Sequence, residues 1–430
     1  MNVLRGSLTG LTTRGRCLLS AGAALGVCSL VLGSRDLLRA GLFLLVLPLA
    51  SVIAVARTRY RLSCGRSLDP ARVEAGTAAV VRLRLDNVSR LPSGVLLMED
   101  ALPYILGGRP RFVLDRIEPQ GVREVSYPVT AEVRGHYRVG PLSVRLTDPF
   151  GLCELTRSFS STADLVVTPV VEQLPSVRLG GDWAGGGDAT ARSVAVSGTD
   201  DAAPREYRHG DDLRKVHWRS TARTGELMVR REEQPFQSRA TLLLDGRGEA
   251  HRGDGPGSSY EWVVSAAASI AVTLARSGYL LRLIDDTGLD VVSEGVATTE
   301  ATVLDALAGV TTHAGRDLAP AVERLRRTGV DGVLIGLFGR LDPQDAERLS
   351  RLRHGSATCL AVLLDTPSWA PGRAAHGEDD AAANLLGGAG WRVLRVSHGA
   401  SLTSVWPRAA GRAGSPLRPV VDPSLSEATA

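Results

Sequence analysis

Two long apolar runs near the N-terminus are the feature that most limits what this chain can fold into. Residues 17–33 carry only apolar or small side chains, and residues 40–56 form a second, more hydrophobic run that contains Pro48. At about 1.5 Å per residue, the first run makes a helix of roughly 26 Å, which is enough to cross the hydrocarbon core of a bilayer. A proline is tolerated within such a helix. The pattern predicts two transmembrane helices.

The charges around these runs predict their orientation. The connection at 34–39 holds two arginines beside one aspartate, whereas the outer flanks carry only cations: Arg5, Arg14, Arg16, Arg57, Arg59, Arg61 and Arg66. By the positive-inside rule, 17–56 is a transmembrane hairpin with both termini in the cytoplasm, and 1–16 is a cytosolic N-terminus. A cleaved signal peptide and a buried hairpin of a soluble protein are the alternatives. Two apolar runs in close succession, each bracketed by arginine, favour the membrane hairpin.

The cysteines and the net charge narrow the class of protein. Five cysteines are scattered through the 430 residues without a CxxC pair, which argues against a disulfide framework and a thiolate zinc site. The formal charge of +4 comes mostly from arginines beside apolar segments, so nucleic acid is not indicated as a partner. The phosphate-binding pattern GxxxxGK[ST] does not occur, so the chain is not predicted to be an ATPase.

Residues 57–170 alternate between apolar and polar side chains in short bursts separated by turn residues. Examples are the stretches 79–85 and 122–129. About seven short strands in about 110 residues predict an immunoglobulin-like β-sandwich. Within it, RGHYRVGP (134–141) and DPFGL (148–152) are interpreted as strands and turns rather than as a functional site.

Residues 171–238 begin with a linker and continue into a distinctive charged tract. The Gly-rich stretch LGGDWAGGGD is typical of a flexible linker. In the charged tract, Asp211 and Asp212 are placed to cap a short helix at 213–218, and Gly225 is placed to end it before a strand.

From 239 to 408, apolar strands alternate with amphipathic helices. The first strand covers 240–245, and a helix is predicted around 262–276. Alternating β and α elements predict a mostly parallel sheet with helices on both faces. The tail 409–430 is rich in Pro, Ala and Ser, which predicts disorder.

Two separated motifs resemble those of one known family. The tract 205–230 reads REYRHGDDLRKVHWRSTARTGELMVR, and RGHYRVGP and DPFGL precede it. Together with the two apolar runs, they resemble the bacterial "domain of unknown function 58" family over nearly the whole chain beyond residue 16. The resemblance implies a membrane-tethered protein with a β domain and, at 239–408, a von Willebrand factor A-like α/β domain. It also implies genomic association with a MoxR-type AAA+ ATPase and often a transglutaminase-like membrane protein, and it implies no established enzyme activity.

The signature residues of the tract have two interpretations, a structural polar network or a docking surface for the partner ATPase. They are Tyr207, Gly210, Asp211, Arg214, Trp218, Arg219, Ala222, Arg223 and Gly225. A third possibility is acid/base or metal chemistry by His209, His217, Asp211 and Asp212, but no HExxH, DxD or triad spacing accompanies them. No residue is therefore assigned as catalytic.

The A-like resemblance directs attention to the end of the first strand of that domain, where such domains hold a metal with an Asp-x-Ser-x-Ser loop. Here the loop reads Asp245-Gly246-Arg247-Gly248-Glu249, so a cation and a carboxylate replace both hydroxyls. Arg247 would repel a divalent ion and is expected to pair with Asp245 or Glu249. Mg²⁺ held by Asp245 and Asp342 is the less favoured outcome, and no cofactor is predicted. The other strand-end carboxylates are interpreted as solvated: Asp285, Asp286 and Asp365.

These features favour a membrane-anchored adaptor or scaffold over an enzyme. Its soluble body lies in the cytoplasm and binds protein partners through the degenerate A-like domain and the signature tract. The partners expected are the membrane, a MoxR-type AAA+ ATPase and a transglutaminase-like membrane protein. The alternative is a metal-assisted hydrolase that uses Asp245 and the His/Asp-rich tract. A sensor displayed outside the cell conflicts with the arginine orientation.

Overall fold

The computed structural model describes residues 10–57, 62–90, 92–93, 95–147, 150–177, 205–207, 216, 218–229, 238–292, 299–353, 357–370 and 378–410. Its N-terminal part is a helical hairpin of α1 (Thr13–Leu32) and α2 (Arg35–Arg57). Both helices are long and apolar enough to cross a membrane. Thr12 caps α1 by accepting a hydrogen bond from the Gly15 N–H at 3.3 Å, so the helix begins before the apolar run.

The turn between the two helices is shorter than the sequence suggested. The predicted connection at 34–39 is wrong, because α2 already begins at Arg35. Gly33 has a left-handed φ of 64°, which reverses the chain without further residues. Asp36 lies in the first turn of α2, where a carboxylate is favourable, and pairs with Arg39 at 3.1 Å.

Short strands follow the hairpin and build a β domain. They are β1 (Leu62–Asp69), β2 (Arg72–Glu74), β3 (Ala78–Asn87), β4 (Leu96–Asp100), β5 (Arg111–Leu114), β6 (Val122–Thr130), β7 (Gly135–Val139), β8 (Leu142–Thr147), β9 (Glu154–Phe159) and β10 (Ala163–Thr168). Their described sheets have the orders β1-β3-β6, β2-β10-β7 and β5-β4-β8-β9. Every second side chain of β3, including Val81, Leu83 and Leu85, enters a core shared by these sheets. The β-rich character predicted for this region is confirmed.

A charged cluster is buried in the β domain. The two terminal nitrogens of Arg66 each donate to the Asp100 carboxylate at 2.7 Å, and the Tyr127 hydroxyl donates to the same carboxylate. The side chains of Arg66 and Asp100 are fully inaccessible. Burial, together with the hydrogen bond and charge of Asp100, raises the pKa of Tyr127. Gly140 lies so close that a Cβ there would be 2.9 Å from Arg66 Nη2. The three side chains are therefore mutually dependent.

The signature tract is described in part. It contains β11 (Arg205–Glu206), α3 (Trp218–Thr224) and β12 (Met228–Val229), and the two strands pair antiparallel. Gly225 ends α3 with φ 79°, as predicted, and its N–H donates to the Thr221 carbonyl at 2.9 Å. The helix predicted at 213–218 is wrong at Val216, which forms a β-bridge, because α3 begins only at Trp218; positions 213–215 lie outside the described residues.

The C-terminal domain alternates strands and helices. Its elements are β13 (Arg239–Leu244), α4 (Ser259–Arg276), β14 (Leu280–Asp285), β15 (Asp290–Val292), α5 (Glu300–Gly309), α6 (Ala319–Thr328), β16 (Val333–Phe338), α7 (Pro343–Ser350), β17 (Thr358–Leu364), α8 (Glu378–Gly388), β18 (Arg392–Val396) and α9 (Leu402–Val405). The described sheet has the order β15-β14-β13-β16-β17-β18 and is parallel except for β15. Leu242 and Leu244 pack against α4 and α5, whereas Leu243 packs against α6, α7 and α8. The predicted mostly parallel sheet with helices on both faces is confirmed.

Arg134 joins the β domain to the α/β domain. Its Nε donates to the Leu307 carbonyl at 2.9 Å, and its Nη2 donates to the Val310 carbonyl at 2.7 Å. The guanidinium also pairs with Glu261 and lies 5.1 Å from the centroid of the Tyr260 ring. A cation at the C-terminal end of α5 is electrostatically favourable. This buried side chain therefore couples the β domain to two helices of the α/β domain.

The segment after β10 adds a second connection, and the structure here differs from the predicted linker. Val171, Leu174 and Val177 pack against the core of the α/β domain. The Glu172 carboxylate accepts hydrogen bonds from the Thr403 N–H at 3.0 Å and from its hydroxyl at 2.8 Å. Apolar side chains at every third position place one side of this segment against the domain. The Gly-rich stretch at 179–188 and the tail 411–430 lie outside the described residues.

Candidate functional site

Charged side chains meet at the carboxyl end of the parallel sheet. Asp245 follows β13, Asp286 follows β14, and the chain after β16 leads to Asp345 in α7. The strand order reverses between β13 and β16, and in open α/β sheets ligands bind at such a reversal. We call Asp245, Arg247, Asp286 and Asp345 the strand-end cluster. All four side chains are buried.

Arg247 occupies the centre of the strand-end cluster. Its Nε and Nη2 each donate to one Asp245 carboxylate oxygen at 2.9 Å, and its Nη1 donates to Asp345 at 2.8 Å. Burial lowers the pKa of the guanidinium, but the hydrogen bonds and charge of Asp245 and the charge of Asp345 raise it overall. The expected pair with Asp245 is present, and it is bidentate. Both carboxylate oxygens of Asp245 are thereby engaged.

Asp345 is the member that the sequence did not reveal, and Asp342 does not take the predicted place. Asp342 precedes α7, is exposed and lies 3.8 Å from Arg340. Asp345 lies one turn further along the chain, where the helix turns its inner face toward the sheet, and it also accepts a hydrogen bond from Arg348 at 3.0 Å. The only sequence signal that Asp345 faces the sheet is its position on the same helical face as the apolar residues Ala346 and Leu349, which are buried.

Asp286 is buried, so its interpretation as a solvated strand-end carboxylate is wrong. One carboxylate oxygen accepts the Gly246 N–H at 2.9 Å and lies 3.0 Å from His313 Nε2. Burial raises the pKa of Asp286, although these hydrogen bonds act in the opposite direction. The loop after β13 is thus held by Asp286 and His313 from one side and by Asp345 from the other.

The side chains of the strand-end cluster are not arranged to bind a divalent metal ion. The guanidinium of Arg247 lies against both Asp245 oxygens, the position that an ion bound by this carboxylate would have to take. A divalent ion would also meet the repulsion of a fixed positive charge. Within the described ranges, no group of three or more His, Cys, Asp or Glu side chains is arranged to hold a metal. The cluster is therefore a closed ion-pair network that contains its own cation.

His251 supports the same loop through a neutral imidazole. Its Nε2 lies 2.9 Å from the Asp245 carbonyl oxygen, which can only accept, so Nε2 carries the proton. Its Nδ1 lies 3.2 Å from the Ser259 hydroxyl, which can then donate to it. Burial lowers the pKa of His251 below its ordinary 6.5, although the charge of Asp245 acts in the opposite direction.

This arrangement predicts loss of stability in mild acid. The unfolded chain takes up a proton on His251 near pH 6.5, whereas the folded chain does so only at its lower pKa. The contribution of neutral His251 to the free energy of unfolding is therefore complete above the pKa of the unfolded chain. It is lost as the pH falls toward the pKa of the folded chain, by at most about 1.4 kcal/mol per pH unit. Urea unfolding of the chain and of His251→Gln between about pH 8 and about pH 5 measures the difference. The glutamine amide still donates to Asp245 but does not titrate, so identical pH slopes for both chains would contradict this assignment.

The described part of the signature tract presents an exposed surface. Trp218 is 71% exposed, and Arg219, Ala222 and Arg223 are also exposed on α3. Tyr207 is half-buried, and its N–H donates to the Leu227 carbonyl at 2.8 Å. Tryptophan and arginine are enriched among the residues that carry binding energy at protein interfaces. The remaining signature residues Gly210, Asp211 and Arg214, like His209, Asp212 and His217, lie outside the described residues.

A cleft of about 370 Å³ opens where the two domains meet. Glu132 and Arg134 line it from the β domain, and Trp262, Trp369 and His398 line it from the α/β domain. The rings of Trp369 and His398 are in edge contact, with centroids 5.4 Å apart. Aromatic walls with a few polar groups are typical of ligand sites, but the cleft lies apart from the strand-end cluster and from α3.

Residues 203–368 match the model of a family described as "Protein of unknown function DUF58". The chain carries a DUF58 region. This region contains the tract with Trp218 and the strands from β13 to β17, so the resemblance carried by the motif is confirmed. The chain is also 26% identical over 224 residues to "Uncharacterized protein YeaD" of Bacillus subtilis (strain 168), covering 50% of this chain and 53% of the relative. It thus spans about half the length of this curated relative.

Two solved structures share weak similarity with this chain. The CARDB domain of the PF1109 protein from Pyrococcus furiosus is 14% identical, with a TM-score of 0.19, covering 25% of this chain and 93% of that chain. The ASH/PapD-like domain of human CEP192 is 12% identical, with a TM-score of 0.17, covering 25% and 85%. Neither similarity supports a conclusion about fold or function at such TM-scores.

Proposed function

We propose that the chain is a membrane-anchored adaptor that binds protein partners through its signature tract and its α/β domain, without a metal ion. The proposal rests on the bidentate contact between Arg247 and Asp245. Because both carboxylate oxygens of Asp245 accept hydrogen bonds from the guanidinium, this carboxylate is not available to a metal ion. A mostly parallel sheet with an Asp-led loop after its first strand supports the von Willebrand factor A-like interpretation. The strands of the β domain support the immunoglobulin-like interpretation.

Asp245 is poorly placed for the alternative hydrolase. Its side chain is completely buried, and a metal-assisted hydrolase needs a carboxylate that reaches a metal or a substrate. In this chain the same carboxylate holds the loop to Arg247. The geometry of Asp245 therefore favours the adaptor over the hydrolase.

The proposed contact surface is α3 with its exposed Trp218, Arg219 and Arg223. Together they offer an aromatic anchor beside two cations, the side chains that most often dominate binding at an interface. We propose that a cytosolic MoxR-type AAA+ ATPase binds this surface and that a transglutaminase-like membrane protein belongs to the same complex. The positions of the arginines around the hairpin support a multi-pass protein of the cell membrane with its soluble body in the cytoplasm.

Binding to the ATPase tests the proposal. The full chain in mild detergent, immobilised, is expected to retain the purified MoxR-type ATPase of the same organism in at least one nucleotide state. Trp218→Ala is expected to weaken binding by about 30-fold or more, as for a residue that contributes about 2 kcal/mol at an interface. Tyr104→Ala is the matched control, because Tyr104 is equally aromatic and 96% exposed but lies in the β domain. Absence of binding in every nucleotide state, or equal loss in both variants, would refute the adaptor proposal.

A further inference from the structure

A loop of the β domain reaches the end of the helical hairpin. The loop 150–153 precedes β9, and Cys153 forms an antiparallel bridge with Leu11, just before α1. The Thr12 N–H donates to the Leu152 carbonyl at 3.0 Å, and the Thr12 hydroxyl donates to the Gly151 carbonyl at 2.7 Å. On the other side of the bridge, the Glu154 N–H donates to the Gly10 carbonyl at 2.7 Å. The chain entering α1 is thus joined to the β domain by a single antiparallel bridge and the hydrogen bonds around it.

This loop also packs beside the apolar part of the hairpin. Cys153 and Leu11 are buried with Val52 of α2, and Leu19 of α1 packs against them. Both Leu19 and Val52 belong to the apolar runs of the two helices. Gly15 allows the close approach, since a Cβ there would lie 2.3 Å from the Leu152 carbonyl oxygen. The loop 150–153 therefore lies directly beside the first turns of the apolar segment of α1.

The outer side of the loop exposes an aromatic ring next to cations. Phe150 is 62% exposed, and Arg14 and Arg16 are exposed on the first turn of α1. Arg14 Nη1 lies 3.9 Å from the position that a Cβ on Gly151 would take, so the cation is next to the loop. Phenylalanine is among the apolar side chains that interfacial amphipathic segments insert at the boundary between headgroups and acyl chains, and exposed cations there attract anionic headgroups.

We propose that the loop 150–153 is a lipid-contacting element that docks the β domain on the bilayer, with Phe150 among the headgroups of anionic phospholipids. This rests on the proposed membrane anchoring of the hairpin and adds to it. An anchor alone would leave the soluble body free to swing on its connection to α2, whereas the loop fixes one edge of the β domain at the membrane surface. The DPFGL motif thereby acquires a role beyond that of a turn.

Photocrosslinking in reconstituted vesicles tests this docking. The photoreactive aromatic p-benzoylphenylalanine replaces Phe150 in the full chain, reconstituted in phosphatidylcholine vesicles with phosphatidylglycerol. After irradiation, mass spectrometry detects the adduct of a phospholipid on the peptide that contains position 150. Two matched positions serve as controls: Phe43, which is 65% exposed on α2, and Tyr104, which is 96% exposed. Tyr104 follows Asp100, the last residue of β4, which pairs with Leu142, the first residue of β8. The loop 150–153 follows the opposite end of β8, so Tyr104 lies away from it.

The expected result is a lipid adduct at positions 43 and 150, several-fold above that at position 104, with phosphatidylglycerol over-represented at position 150. An adduct at position 43 but not at 150 would overturn the docking and leave the membrane anchor in place. Adducts of equal yield at 104 and 150 would overturn it as well, since they would indicate collision with vesicles. Without an adduct at position 43, the anchor and the docking would both be refuted.

Discussion

A chain carrying both Arg247→Ser and Glu249→Ser is expected to gain a Mg²⁺-dependent stability that the unaltered chain lacks. The two changes restore the Asp-x-Ser-x-Ser pattern and remove the cation that neutralises Asp245, Asp286 and Asp345. Without metal, the buried carboxylates repel one another, and the cost is expected to be about 3–5 kcal/mol, as for other buried ion pairs that lose one partner. Mg²⁺ at about 100 times its dissociation constant would then restore about 2.7 kcal/mol.

Thermal unfolding of both chains in detergent, with Mg²⁺ or with a chelator, measures this gain. Adding Asp245→Asn to the double variant is the control, because it removes the carboxylate on which the metal would depend. The unaltered chain should melt at the same temperature in both conditions, because Arg247 already fills the position. A metal response in the unaltered chain, or none in the double variant, would show that the strand-end cluster is not a metal site closed by its own guanidinium.

Asp100→Ala is expected to destabilise the β domain by about 3–5 kcal/mol, because it leaves the guanidinium of Arg66 buried without a counter-charge. Tyr127 would lose its acceptor in the same step. Urea unfolding, monitored by far-ultraviolet circular dichroism, measures the change in the free energy of unfolding. Asp164→Ala is the matched control, since Asp164 pairs with Arg138 on the surface of the same domain and such pairs contribute at most about 1 kcal/mol.

The same cluster offers a second variant that separates charge from shape. Replacing both partners, with Arg66→Met and Asp100→Leu, removes the charge and its counter-charge together. Buried pairs exchanged for apolar side chains of similar size are often neutral in stability. The double variant is therefore expected to be more stable than Asp100→Ala alone. If it is not, the loss in Asp100→Ala reflects the altered packing around Gly140 and not an unpaired charge.

Features set by nearby residues could be predicted from the sequence. The apolar runs gave the two helices, alternation gave the inner face of β3, and the glycine after the basic tract ended α3 at Gly225. Asp245 at the end of β13 is predicted as a site residue from the A-like resemblance, and its pairing with Arg247 is predicted because a cation two residues away needs a counter-charge. Each of these signals lies within one element or one loop.

Features set by tertiary contacts could not be predicted in the same way. Asp345 meets Arg247 across 98 positions of sequence, and Arg134 reaches the Leu307 carbonyl across 173. Side chains of this kind look like ordinary surface charges until the fold surrounds them. Asp286 was misjudged for the same reason, because only the packing of the loop with His313 removes it from solvent. The short turn at Gly33 was missed because left-handed backbone geometry leaves no apolar pattern.

The contact of Arg134 with the end of α5 has a mechanical consequence. The guanidinium is bonded at once to α5 and to Glu261 at the start of α4, so a torque applied to the α/β domain is carried into the β domain through one side chain. Glu172, bonded to Thr403, resists the same rotation from a second point. Rotation of one domain relative to the other would have to break contacts at both of these separated points. In the proposed adaptor, a load that a bound partner applies to the α/β domain would therefore pass to the β domain through two contacts and not about a single pivot.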